Sequence, residues 1–512
     1  MPTDAFDLGA RATEILSRRP AVGLAVGIVR DGAPASFSVH GVADVATNRP
    51  VTQHTVFRIG SITKTFTAVA AMQLLEQGLV DLDAPANDFL RTFRLVPAND
   101  AWGPATVRHL LTHTAGVPKL VHPSRAVFSR WPGESVRLDR PVPGLGGFYG
   151  GRLRLVAEPG ATFNYSDHSL AAVGQIVEDV SGLPLDRYLR DHVFDPLGMD
   201  DSDLLRSERV TAQLATGHTL GAHGPTAVTD RHWVTSAASS IYSTPADMAR
   251  YVAALVNGGA GERGAILKPD TLAMMFEPHW QPDPRIPGMG LGFFRDELGG
   301  RRVVEHQGIL PGFNGQLYLA PDDGVGVFGF TNGARNAVVW LTAEVARLLA
   351  DVIGAPGDVT RTDVAHHPEV WGDLCGWYTP IAQRNDTMVW AMAGAGVEVR
   401  VRRGELMLRA LSPLPAVYRG FVLHPDDDHD PYAFRIDLGA YGLGTVKVVF
   451  GHDEQRTRVH LGGSVPLSAV KRSSATPRRR PYAAGAAGAL AVGGAATVVR
   501  RWRASPRGGR RR

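Results

Sequence analysis

Gly60-Ser61-Ile62-Thr63-Lys64-Thr65-Phe66 decides how the rest of this 512-residue chain is read. Among 54 basic residues only five are lysines, and one of them stands three positions after Ser61. A neutral lysine amine can accept a serine proton, whereas a guanidinium stays charged and cannot. An arginine-rich chain that keeps lysine here therefore points to a use for the amine itself. Residues i and i+3 share one face of a helix, which would set Lys64 over the Ser61 oxygen. The apolar run Phe66, Val69, Ala70, Met72, Leu74 and Leu75 predicts a buried helix that stops at Gly78. A buried helix start aims its free N–H groups and positive dipole end at developing negative charge, and burial lowers a lysine pKa. The same spacing recurs at Ser468-Ala469-Val470-Lys471, but no apolar helix follows that copy, which runs into an arginine-rich tail. Ser61 and Lys64 are thus the candidate nucleophile and base, and the second pair is a decoy.

Outward from this pair, the patterning predicts a helix over residues 4–19 and strands over 22–29 and 35–42 about a turn at Asp31-Gly32. A loop-rich region over 81–159 contains a helical piece at 106–113. Further helices are expected over 169–180 and 245–257, the latter with Thr244 as N-cap, Pro245 at the first helical position and Gly258 beyond the end. Strands over 316–320 and 325–331 and a helix over 337–352 close the region. Strands at both ends with helices between and outside predict an α+β domain, an antiparallel sheet packed by helices. After Gly354-Ala355-Pro356-Gly357-Asp358 the expected strands are short and regularly spaced, over 397–402, 405–409, 433–438, 445–450 and 458–461. The organisation read from this is a domain over 1–355, a small all-β domain over 358–470 and a basic tail over 471–512.

Net charge is informative only when divided. The tail carries twelve Lys or Arg and no acid, so the overall +4 separates into +12 there and −8 over residues 1–470. The high pI therefore describes an appendage and does not support a nucleic-acid-binding fold. Within the tail, residues 482–499 are uncharged and mostly Ala and Gly. That length reaches across a bilayer, but Ala and Gly give little insertion energy, and seven arginines would have to follow the segment across. The composition favours a basic tail that is disordered or contacts acidic membrane lipids over a true span. The N-terminus has neither a basic start nor an apolar core of a signal peptide, so a cytoplasmic location is expected, with membrane association through the tail. A single cysteine, Cys375, excludes an internal disulfide and a Cys-based zinc cluster. Its neighbours, Leu374 and Trp377, suit a packed residue rather than a nucleophile.

Two further segments are candidates to converge on Ser61. In Phe163-Asn164-Tyr165-Ser166-Asp167, after Glu158-Pro159-Gly160, a turn presents a phenol able to relay a proton. In Glu305-His306-Gln307-Gly308-Ile309, a glycine at a strand edge admits a substrate backbone, with His306 toward the pocket and the Ile309 N–H available to an oxyanion. Each is weak alone. Taken in order and at these intervals, Ser-x-x-Lys, Tyr-x-Asp and His-x-Gly resemble the serine β-lactamase-related hydrolases: class C β-lactamases, penicillin-binding DD-peptidases and their esterase relatives. The stretches at 107–116, 194–199 and 242–248 resemble that family as well, and the likeness covers about residues 10–350. It implies that Ser61 attacks a carbonyl after proton transfer to Lys64, that Tyr165 serves the leaving group and the water, and that the Ser61 and Ile309 N–H groups hold the oxyanion. It implies no metal and no cofactor, and His109 and His113 are read as structural.

Two positions depart from the pattern. The antibiotic-hydrolysing members usually carry Asn where this chain has Asp167, and a carboxylate can only accept where an amide N–H donates. Asp167 also places a negative charge near Lys64, favouring its ammonium form. His306 stands where those members usually have Lys, and a neutral imidazole attracts a substrate carboxylate less. The expectation is an esterase-like or small-amide hydrolase acting on a small-molecule substrate. β-Lactamase or D-alanyl-D-alanine carboxypeptidase activity is the alternative, and a non-catalytic binding protein on the same fold is a reading from a different class.

Overall fold

The computed structural model describes residues 6–121, 134–357, 359–381, 393, 396–410, 415–439, 444–452, 456–463 and 466–473. Two compact units divide the chain, the first comprising Met1–Val359 with Leu438–Gly444 and Gly462–Pro466, the second Thr360–Asp437, Thr445–Leu461 and Leu467–Arg512.

The first unit is built on a seven-stranded antiparallel sheet. Its strands are β1 (Gly23–Arg30), β2 (Ala33–Asp44), β3 (Arg49–Pro50), β4 (Phe294–Leu298), β5 (Arg301–Leu310), β6 (Phe313–Ala320) and β7 (Val325–Thr331). They lie in the order β4-β5-β6-β7-β1-β2-β3, so β7 pairs with β1 near the start of the chain. The two-residue period sends Leu24, Val26 and Ile28 to one face. There, with Tyr318 and Val327, they pack on α1 (Leu8–Arg18) and α5 (Ala337–Ile353) through Ile15, Trp340, Leu341 and Leu348. Alternate residues Ala25, Leu317, Leu319, Phe328 and Phe330 turn to the larger core around α2 (Thr63–Glu76). From Thr63 to Leu74 every residue of α2 is buried, as expected of a helix that is apolar all round, and Lys64 is the one charged side chain in that stretch.

Capping sets the helix limits. The Asp7 carboxylate accepts from Ala10 N at 2.9 Å, so α1 begins at Leu8, later than the apolar pattern suggested. Ser166 caps α3 (Asp167–Ser181) by accepting from His168 N at 3.2 Å, starting it two residues earlier than expected and placing Asp167 in its first turn. In α4 (Pro245–Val256), Thr244 Oγ1 accepts from Asp247 N at 3.1 Å, as its sequence predicts.

The second unit is a nine-stranded antiparallel sheet among the described residues. Its two edge strands, Phe421–Val422 and His424–Pro425, are separated by Leu423 alone, so the sheet curls until its edges nearly meet, close to a barrel. Four of its strands were not expected from the sequence: the two short edge strands, and Gly376–Pro380 and Leu467–Ser473, which pair with each other. The latter corrects the tail boundary, because Lys471, Arg472 and Ser473 belong to the sheet. The segment 482–499 lies outside the described residues. Among those described, no helix is long and apolar enough to cross a membrane.

Candidate active site

Ser61 occupies a 3-10 turn, Gly60–Ile62, that runs directly into α2. Gly60 has φ +57°, and a Cβ there would lie 2.7 Å from Ile309 N. A Cβ on Gly308 would lie 1.9 Å from Ile59 O. The turn and β5 therefore meet backbone to backbone, a contact only glycine allows. Strand β4 pairs with β5 only over Arg301 to Glu305, so among the described residues His306 to Leu310 have no strand on that edge, and Ile309 N lies beside the Ser61 turn.

Lys64 is completely buried, and its Nζ donates to Ser61 Oγ at 2.9 Å, to Asp167 Oδ1 at 2.6 Å and to the Ala238 carbonyl at 3.0 Å. An ammonium has three protons, and all three are engaged. The Ala238 carbonyl belongs to a short helical segment, Ser236–Ser239, fastened to α2 where Thr67 Oγ1 donates to Ala237 O at 2.6 Å and Ile241 N donates to Thr63 Oγ1 at 3.1 Å. This third partner is a backbone group, which leaves no side-chain pattern in the sequence.

Tyr165 precedes the cap of α3, and its ring lies 4.9 Å from Lys64 Nζ. The loop carrying it is tied to residues 113–118. Asn164 N donates to His113 O at 2.8 Å, Ser166 Oγ donates to Pro118 O at 2.7 Å, and Ser166 N donates to His113 Nδ1 at 3.3 Å. His113 was read as structural, and its bonds agree, yet its ring also sits 4.4 Å from that of Tyr165. His109 completes the capping box of the short helix Val107–Leu111. His306 is 1% exposed, its ring 5.4 Å from Phe294, and its Nδ1 donates to Gln307 O at 2.8 Å.

The charges follow from this packing. Burial works to lower the Lys64 pKa, but the Asp167 carboxylate, with Tyr165, outweighs it and holds Lys64 above the ordinary lysine value. The expectation that burial lowers it is therefore overturned, while the expected pull of Asp167 toward the ammonium form agrees with this direction. Desolvation disfavours the Asp167 anion, yet the Lys64 charge and hydrogen bond keep its carboxyl below the usual range, with 41% of the side chain exposed. Burial raises the Tyr165 phenol, against the pull of Lys64, so the phenol is protonated at neutral pH. Burial, then the charge of Lys64, pushes His306 down to about 3, so its imidazole is neutral. Burial likewise depresses His113. Among the described residues no group of three or more His, Cys, Asp or Glu side chains converges as a metal site.

The structure therefore brings Ser61, Lys64, Tyr165 and Asp167 together, with Gly308 and Ile309 against the Ser61 turn and the His306 ring beside that of Phe294. A sequence profile described as Beta-lactamase matches residues 10–351, two thirds of the chain. The chain belongs to the beta-lactamase family. Members of this family are serine hydrolases. A beta-lactamase of Yersinia enterocolitica is 25% identical over 296 residues, 58% of this chain and 71% of that protein. Esterase EstB of Burkholderia gladioli is 32% identical over 216 residues, 40% of this chain and 54% of the esterase. The chain thus spans about half of EstB. Among solved structures, a penicillin-binding protein homologue from Pyrococcus abyssi superposes with TM-score 0.57 at 22% identity, covering 91% of this chain and all of that one. A D-amino acid amidase from Ochrobactrum anthropi superposes with TM-score 0.54 at 24% identity, covering 68% of this chain and 97% of the amidase. These likenesses show the fold, an α+β beta-lactamase-like domain followed by the β-rich unit.

Proposed function

We propose that this member of the family hydrolyses carboxylic esters, with small amides as related substrates, through an acyl-enzyme on Ser61. The observation that carries this reading is the 2.6 Å contact from Lys64 Nζ to Asp167 Oδ1. Asp167 can only accept, so it offers no N–H to the acylamino carbonyl of a β-lactam or peptide. The buried, neutral His306 offers no cation for a substrate carboxylate. A simple ester needs neither anchor, and the likeness to EstB supports the same choice.

The ion pair also shapes the proton path. Lys64 holds three protons and has no lone pair for a fourth, so it accepts the Ser61 proton only as it passes one to Asp167. The Ser61 oxygen then bonds to the ester carbonyl carbon, whose oxygen takes up negative charge beside the Ser61 and Ile309 N–H groups. As the ester C–O bond breaks, the Tyr165 phenol gives its proton to the departing alkoxide and recovers one from Asp167 through Lys64. Water repeats the sequence in reverse, and the last proton returns to Ser61. No metal or cofactor enters this path.

Kinetics with p-nitrophenyl butyrate and nitrocefin test the choice. The expected result is a kcat/KM for the ester at least about tenfold higher, about 1.4 kcal/mol of transition-state preference. Nitrocefin turnover exceeding ester turnover would restore the β-lactamase reading, and no turnover of either would favour a non-catalytic binding role.

A further inference from the structure

A cavity of about 200 Å³ lies beside the short strand Phe57–Arg58, upstream of the nucleophile. Arg58 stands three positions before Ser61, so at about 3.3–3.6 Å per residue their Cα atoms are no more than about 11 Å apart. Pro311, on the same wall, follows Ile309 by two residues. The cavity therefore adjoins both elements that frame Ser61.

Its walls hold buried donors without hydrogen-bond partners. Arg58 is 4% exposed, and its guanidinium lies 4.9 Å over the Tyr242 ring; Nη1 donates to Asp230 and to the Arg231 carbonyl, the latter at 2.8 Å, but Nε and Nη2 have no hydrogen-bond partner among the described residues. Trp233 is 9% exposed, and its indole Nε1 likewise has no hydrogen-bond partner among the described residues. Both residues line the cavity, with Arg206, Arg231 and Asp230. Asp230 is already engaged, since it accepts from Arg231 N at 2.8 Å and lies 3.4 Å from Arg206 Nε. The Arg231 guanidinium is spent on Ser135, to which Nε donates at 2.8 Å, so two guanidinium groups, those of Arg58 and Arg206, face one carboxylate and leave a local excess of one positive charge.

Unpaired buried donors are costly, and a guanidinium fork matches a carboxylate. Water would satisfy the N–H groups without balancing the charge. The remaining walls include Leu214, Val228 and Phe313, which suit a short hydrocarbon tail. Asp230 penalises a dianion more than a monoanion. We propose that this cavity is a binding subsite for a small aliphatic carboxylate, held by Arg58, Arg206 and the Trp233 indole N–H.

The volume equals roughly that of six or seven liquid waters, enough for a four-carbon acid. Such a carboxylate arrives either as a free acid or as the far end of a substrate, and the two are separable by experiment. Calorimetric titration of the full chain with butyrate is expected to give saturable one-to-one binding. Trp233→Phe, which keeps the ring and removes the N–H, and Arg206→Gln, at a partly exposed position, are each expected to weaken it about tenfold. Arg58→Lys is expected to do the same, and if it fails to fold the other two variants decide. No saturable binding, binding unchanged in both variants, or tighter binding of phosphate than of butyrate would overturn the proposal. Kinetics with a p-nitrophenyl hemisuccinate and p-nitrophenyl butyrate identify the source. A preference for the hemisuccinate that Arg206→Gln removes supports a carboxylate carried by the substrate. Butyrate binding without that preference supports a free acid at the same subsite.

Discussion

Ser61–Lys64 and Ser468–Lys471 have the same spacing and opposite fates. The first pair stands where a 3-10 turn enters a buried helix, and the lysine bonds its serine at 2.9 Å. The second lies on the strand Leu467–Ser473, where residues three apart point to opposite faces. There Ser468 Oγ bonds His460 Nδ1 at 2.8 Å, while Lys471 Nζ donates to Asp373 O at 2.5 Å. Spacing in sequence becomes chemistry only when the backbone curls to superpose the two side chains and other segments supply the remaining partners. At the first pair those partners are Asp167, Ala238 and the ring of Tyr165.

The comparison can be broken most severely at the serines. Ser61→Ala is expected to lower ester kcat on the order of 10⁴-fold or more. Ser468→Ala should leave it unchanged in the same stopped assay, and a comparable loss from both would erase the distinction. At the lysines the contrast is smaller. Lys64→Met is expected to cost about 10²–10⁴-fold in kcat/KM, the range for a positioned proton-transfer group. Lys471→Met removes only a hydrogen bond to Asp373 O and should leave kcat/KM intact, with circular dichroism confirming that both variants are folded.

Asp167→Asn sharpens the account of the first pair. In the native protein the ion pair persists between a carboxyl held below its usual range and an amine held above its own, so kcat/KM should be flat across neutral pH. Without the carboxylate, burial acts alone and lowers the Lys64 pKa. Proton transfer then requires the neutral amine, and kcat/KM should rise with pH, falling at pH 6 by about tenfold relative to pH 9. The same variant gains an N–H donor, so its nitrocefin turnover should increase relative to ester turnover. A flat profile in the variant would sever Asp167 from the proton path.

The smallest expected effect concerns stability. His306 is neutral in the fold with a pKa of about 3, whereas in the unfolded chain it titrates near 6.5. Between those values the unfolded state binds more protons, so its share of stability is complete above about pH 6.5 and is lost as pH falls toward 3. His306→Gln should flatten the dependence of Tm on pH in that window, measured by calorimetry, and an unchanged slope would contradict the assignment.

Four of the seven strands of the central sheet were legible as short apolar runs between turn residues, whereas Arg49–Pro50 and Phe294–Leu298 were not expected. Val325–Thr331 and Val397–Arg402 have the limits that the sequence predicts, because Gly and turn residues bracket them. The strands Gly376–Pro380 and Leu467–Ser473 were not legible, since the former follows a short helix and the latter merges with basic residues that resemble a tail. At the site, the joint order of Ser-x-x-Lys, Tyr-x-Asp and His-x-Gly located the segments that converge. Ala238 was missed because a carbonyl has no residue signature. The protonation of Lys64 was underdetermined because burial and Asp167 act in opposite directions, and only their 2.6 Å separation decides between them. The cavity at Arg58 and Trp233 draws on residues scattered over more than 250 positions, which no local pattern reveals.

The central claim is that Ser61, and not its strand-borne counterpart, becomes acylated. Intact-mass measurement after exposure to a fluorophosphonate, followed by peptide mapping, tests it most directly. One adduct per chain is expected, located on Ser61 and absent from Ser61→Ala. An unmodified native protein, or an adduct that survives in Ser61→Ala, would contradict it.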